Sequence, residues 1–160
     1  MRLLIAAVGR LKAGPERELL ERYIERANAA GRAVGLAPVE IVEVPESRAR
    51  RPADRIAEDT AKLDALVPKG TRRIVLHSGG RNLTSEDFAA RLAKIRDQGA
   101  PAAAFLLGGA DGLAKSAMNA ADVTISFGAA TFPHQIVRIL LAEQIYRAVT
   151  ILAGHPYHRA

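Results

Sequence analysis

Residues 125–148 read ISFGAATFPHQIVRILLAEQIYRA, and their reading decides the fold. Apolar character runs up to Phe127, gives way to Gly128, Ala129, Ala130 and Thr131, and resumes after Pro133 with a different period. Val137, Leu140, Leu141, Ile145, Ala148 and Leu152 recur at three and four, one side of a long helix whose first turn suits Pro133. Glu143 precedes Arg147 by four, an ion-pair spacing on a helix surface. A buried strand thus passes through a loop of small residues into a helix. Such a loop offers backbone N–H and C=O groups with little side-chain bulk.

The same alternation extends towards the N-terminus. Leu3–Val8, Val39–Val44, Ile74–Leu76 with its flanks, Ala103–Leu107 and Val123–Phe127 read as strands. Leu19, Leu20, Tyr23, Ile24 and Ala27 mark one helix face, and Ile56, Leu63, Leu66 and Val67 another between Pro52 and Pro68. Thr84 with Asp87 resembles a capping box before Phe88, Leu92 and Ile95, a face that stops near Gly99. Alternating strands and helices predict an α/β fold, a mostly parallel sheet with helices on both faces. Three predicted strand ends are rich in glycine and small residues: VLHSGGRN, FLLGGADG and ISFGAATFPHQ. In an open α/β sheet that edge is where ligands bind, and Gly108, Gly109 and Gly112 permit close backbone approach. Such loops can hold an adenine ring by backbone hydrogen bonds between apolar walls.

Several chemistries are excluded. There is no cysteine, hence no disulfide, thiolate metal site or cysteine nucleophile, in keeping with a reducing, cytoplasmic setting. Gly9 and Gly14 have P-loop spacing, but Pro15 and Glu16 stand where lysine and a hydroxyl residue are required. The G-x-G-x-x-G fingerprint is missing, and HSGG lacks the G-x-S-x-G frame. His77, His134, His155 and His158 have no carboxylate partners at helical spacing, so no metal is expected. The apolar start, Leu3 to Val8, is too short for a signal peptide and reads as a first strand; no run approaches a membrane span. A net charge of +6 favours a polyanion such as RNA. The stretch ESRARRPADR, with Arg48, Arg50, Arg51 and Arg55, is either a solvated loop or a phosphate-binding flap.

The stretches LLGGADG and ISFGAATFPHQIVRILLAEQIYRA, with the terminal HPYHR, resemble the ribosomal RNA large-subunit methyltransferase H family of the SPOUT superfamily. The N-terminal LLIAAVGRLK, the strand VEIVEV and the length also fit. The resemblance implies one SPOUT methyltransferase domain over residues 1–160, with a C-terminal trefoil knot. It implies an S-adenosylmethionine-dependent enzyme that methylates N3 of a pseudouridine in a 23S rRNA stem-loop, as a homodimer on assembled ribosomes. By position, the family's cofactor contacts fall on Leu76, Gly108, Phe127, Gly128, Ala129, Ala130, Thr131 and Phe132. Ile136, Ile139 and Val149, off the main stripe of the last helix, suggest a second partner surface.

Methylating N3 requires that its proton leave and that the resulting charge be tolerated. The tail holds suitable groups: His155 and His158 as proton acceptors, Arg159 for the anion or a phosphate, Tyr157 to stack on a base or donate a hydrogen bond. These four are the catalytic candidates, if the tail folds back to form a substrate-facing wall. The rival reading is a plug that closes the knot and packs at the dimer interface. Two functional rivals stand beside the rRNA enzyme: a non-catalytic basic RNA-binding protein, and a SPOUT methyltransferase acting on tRNA.

Overall fold

Leu3, Ile5 and Ala7 point to one side of the first strand and Leu4, Ala6 and Val8 to the other, and all six are buried. That double burial is what a strand inside a covered parallel sheet requires. The computed structural model describes residues 1–158 of the chain, without the side chain of His158. Strands β1 (Arg2–Val8), β2 (Val39–Val44), β3 (Arg72–Asn82), β4 (Ala102–Leu107) and β5 (Val123–Ser126) form one sheet in the order β2-β1-β4-β3-β5. Every pairing is parallel, as the alternation predicts.

The helices are α1 (Pro15–Gly31), α2 (Pro52–Leu66), α3 (Ser85–Asp97), α4 (Lys115–Asn119) and α5 (His134–Leu152). Prolines open α1 and α2, and the Thr84 hydroxyl accepts from the Asp87 N–H at 3.1 Å to start α3. One face of the sheet packs Leu3, Ile5 and Phe105 against α1, α3 and α5 through Leu20, Leu92 and Ile145. The thinner opposite layer sets Leu4, Val75 and Leu106 against Leu63 of α2 and Ala117 of α4. The layers are unequal because α5 lies between α1 and α3. Among the described residues no helix is long and apolar enough to cross a membrane.

Two expectations are revised. The third strand, expected over Ile74–Leu76 with its flanks, is longer: β3 runs on to Asn82, with residues 77–80 bulged out between its two pairings with β5. Leu76 and Arg81 both face Ile125, and an added Cβ on Gly80 would stand 2.5 Å from the Ile125 carbonyl carbon. Only glycine allows that approach. Nor do Ile139 and Val149 form a partner surface. They are 8% and 0% exposed, taken up inside the protomer, and of the three residues only Ile136 remains exposed. The crossover from β4 past β3 to β5, and the return of α5 to α1, are compatible with a C-terminal knot.

Candidate cofactor cleft and the C-terminal tail

The bulge of β3, the loop after β4 and the loop after β5 meet at the C-terminal edge of the sheet around a cleft of about 350 Å³. Leu76, Gly108, Phe127, Gly128, Ala130, Thr131 and Phe132 line it. Ala129 sits exposed in the same loop without lining the cleft. A second hollow of about 610 Å³ lies behind the 127–132 loop, between α3 and α5. The first is the better ligand site, because it lies where the strand ends and glycine loops converge.

The loops keep their shape by short-range bonds. Ser126 Oγ accepts from the Gly128 N–H at 3.1 Å and donates to its carbonyl at 2.9 Å. Gly108 closes the second loop: a Cβ there would lie 2.7 Å from the Gly112 carbonyl carbon. At Gly112 and Gly128 a Cβ would meet nothing within 4 Å, so backbone faces open space on the cleft. Leu107, Leu113, Ile125 and Val137 supply apolar walls, and among the described residues no lysine or arginine lines the site. These residues fit S-adenosylmethionine: apolar walls for a flat base, bare backbone for its edge, and an acidic side chain, Asp111, on the lining. The lining carboxylate, Asp111, is held below its ordinary pKa chiefly by hydrogen bonds from Arg55, at 2.6 and 3.1 Å.

Sequence reading missed three residues here. His77 and His134 line the cleft, His77 through the β3 bulge and His134 as the first residue of α5. From sequence, both stand out individually only as potential metal ligands. The third is Arg138, whose side chain is 1% exposed. It donates to Glu43 Oε1 at 2.6 Å and to the Val8 carbonyl, fastening α5 to the ends of β1 and β2. Glu43 also accepts from Arg17 at 2.6 Å and from the Leu11 N–H at 3.2 Å. Burial pulls the Arg138 pKa down against the opposing pull of Glu43, yet an arginine stays charged. The signal was present in the sequence, because Arg138 precedes Leu141, Ala142 and Ile145 by three, four and seven on the buried face.

The described part of the tail turns back along α5, and its side chains do not line this cleft. After Gly154 the His155 N–H donates to the Thr150 carbonyl at 2.9 Å, and Pro156–His158 forms a 3₁₀ turn. The Tyr157 hydroxyl donates to Glu143 Oε1 at 3.1 Å. Its ring lies 4.5 Å from that of Tyr146, centroid to centroid, with the Arg147 guanidinium 5.2 Å from its centre. Burial, then the neighbouring Tyr23 and Glu143, raises the Tyr157 pKa, so the phenol stays protonated and acts as a donor. His155 Nδ1 accepts from the Tyr157 N–H at 3.2 Å, which occupies that lone pair. Neither His155 nor Tyr157 lines the cleft, and Glu143 lies six positions from the cleft-lining Val137, about 9 Å along the helix. The remaining catalytic candidates, the His158 side chain and Arg159, lie outside the described residues.

Comparison with known proteins agrees with this architecture. A family profile described as "Predicted SPOUT methyltransferase" matches residues 1–158. The chain is 59% identical over 160 residues, the full length of both, to the ribosomal RNA large subunit methyltransferase H of Xanthobacter autotrophicus. It is 56% identical to that of Methylocella silvestris, over 99% of each chain. Among solved structures, a probable methylase family protein from Haemophilus influenzae superposes with a TM-score of 0.55 at 13% identity. That match covers 99% of this chain and 70% of the other, and it speaks for the fold alone. The apolar cleft at the knot-compatible end of a five-stranded parallel sheet therefore has a family to go with it: the chain belongs to the ribosomal RNA large subunit methyltransferase H family of SPOUT methyltransferases.

Proposed function

We propose that this chain methylates N3 of a pseudouridine in large-subunit ribosomal RNA, in the cytoplasm, acting as a knotted homodimer on assembled ribosomes. The single observation that carries the reading is the cleft: three strand-end loops with bare backbone and apolar walls, in a chain of this family. When bound there, S-adenosylmethionine supplies the methyl group. Leu76, Gly108 and the 127–132 loop would hold it and exclude water from the reacting atoms. The N3–H proton must pass to a base as the N–C bond forms.

The tail supplies the substrate side of the reaction. Tyr157, fixed by Glu143, Tyr146 and Arg147, acts as an anchor that sets where the chain after it points. His155 has its Nδ1 engaged by the Tyr157 N–H, which leaves His158 as the better proton acceptor. Arg159 then neutralises the anion shared between N3 and its flanking carbonyls. In the homodimer, the tail of the second copy would complete each site.

The test is transfer of labelled methyl from S-adenosylmethionine to free large-subunit RNA, isolated large subunits, whole ribosomes and tRNA in parallel. The reading expects label in large-subunit RNA of whole ribosomes. Label in tRNA alone would favour the other SPOUT reading. RNA binding with no transfer to any substrate would favour a non-catalytic protein.

A further inference from the structure

We propose that Arg48 and Arg50, with Arg10 and Lys12 of the neighbouring loop, form a preordered rim that grips RNA phosphates beside the cofactor cleft. The proposal rests on the methyltransferase reading and names the surface through which that site would hold its substrate.

A solvated basic loop would be free to move, whereas this one is bonded along its length. The Ser47 N–H donates to Asp59 Oδ1 at 2.7 Å, and its hydroxyl donates to Glu58. The Ala49 N–H donates to Ser47 Oγ at 3.1 Å. Lys62 donates to the Pro45 carbonyl at 2.8 Å. Arg55 donates to the carbonyls of Ala49 and Arg50 at 3.1 and 3.0 Å, while its Nε and second amino group hold Asp111. One guanidinium thus spans the basic loop and the cleft wall.

Four of the local carboxylates are engaged by these contacts. Asp54 pairs with Arg51, Asp59 with Lys62 and Asp111 with Arg55, and Glu58 takes the Ser47 hydroxyl. Glu46 is exposed, with its Oε1 3.2 Å from where a Cβ on Gly9 would stand and 3.5 Å from one on Gly109. Gly9, Glu46 and Gly109 are therefore mutual neighbours, which brings the Arg10–Lys12 loop to the same sheet edge. Arg10, Lys12, Arg48 and Arg50 are exposed and form no ion pair among the described residues. A fixed backbone that presents unpaired cations next to a methyl-transfer cleft suits a polyanion whose target base must be positioned.

The experiment uses the full chain and whole ribosomes, with affinity measured between about 50 and 200 mM salt. Arg48→Ala/Arg50→Ala and Arg10→Ala/Lys12→Ala are compared with Lys69→Ala/Lys94→Ala, a matched loss of charge at the opposite end of the sheet. Each phosphate contact contributes about 0.7–0.9 to the salt slope, so each rim pair should flatten it by about 1.5. S-adenosylmethionine affinity by calorimetry should not change, and the Lys69/Lys94 control should keep the wild-type slope. Wild-type slopes in both rim variants, with the wild type transferring methyl normally, would overturn the rim alone. A control that flattens the slope equally would also overturn it, by reducing the effect to net charge. No transfer by the wild type to any RNA would remove the underlying reading, and the proposal with it.

Discussion

Gly108 illustrates how little space decides the site. Filling it with valine looks like a way to block the cofactor, but its Cβ would strike the Gly112 backbone at 2.7 Å and deform the loop itself. A cleaner probe is Ala130, which lines the cleft from ordinary backbone conformation. Ala130→Phe should lower S-adenosylmethionine affinity at least about tenfold, roughly 1.4 kcal/mol, with an unchanged melting temperature. Calorimetry beside a thermal melt checks both halves. Arg138→Met should behave in the opposite way. Breaking a buried pair costs about 3–5 kcal/mol, and because Glu43 keeps Arg17 the loss should fall near the lower figure. Urea unfolding reads it directly, and Arg138→Met with Glu43→Gln should lose less than the two single losses added.

At the scale of elements, most of the α/β alternation was legible because parallel strands buried on both faces are nearly continuous apolar runs. The strand ends were legible too, since small residues cluster there for steric reasons. Other features were not. The β3 bulge depends on which residues pair with Ile125, a tertiary fact that HSGGRN does not encode locally. The burial of Ile139 and Val149 depends on α5 having helices on two sides. The direction of the tail depends on a tyrosine cluster drawn from α1 and α5. That cluster makes its own prediction. Tyr157→Phe and Glu143→Gln should keep S-adenosylmethionine affinity and slow single-turnover methylation, as expected when a tail is no longer held in place. The raised Tyr157 pKa gives the pH sense. The protonated phenol is favoured in the fold, so its anchoring contribution is full below the ordinary tyrosine value near 10 and is lost only as pH rises through the higher folded value. A pH–rate profile of the wild type should therefore show no limb from Tyr157 below about pH 10.

For the whole molecule, the placement of His155 and Tyr157 outside the cleft bears most on function. Within the described residues the tail is anchored at Glu143, six positions and about 9 Å along α5 from the cleft-lining Val137, and His155 and Tyr157 stay outside the protomer's own cleft. Sedimentation at micromolar concentration should find a dimer, and a folded monomer with full activity would refute the shared site. The most direct measurement of the central claim is nucleoside analysis of ribosomal RNA after reaction with labelled S-adenosylmethionine on whole ribosomes. The account predicts one labelled nucleoside from the large subunit, a pseudouridine carrying its methyl on N3, abolished by Ala130→Phe. Label on any other atom or base, or full labelling by the Ala130→Phe protein, would contradict it.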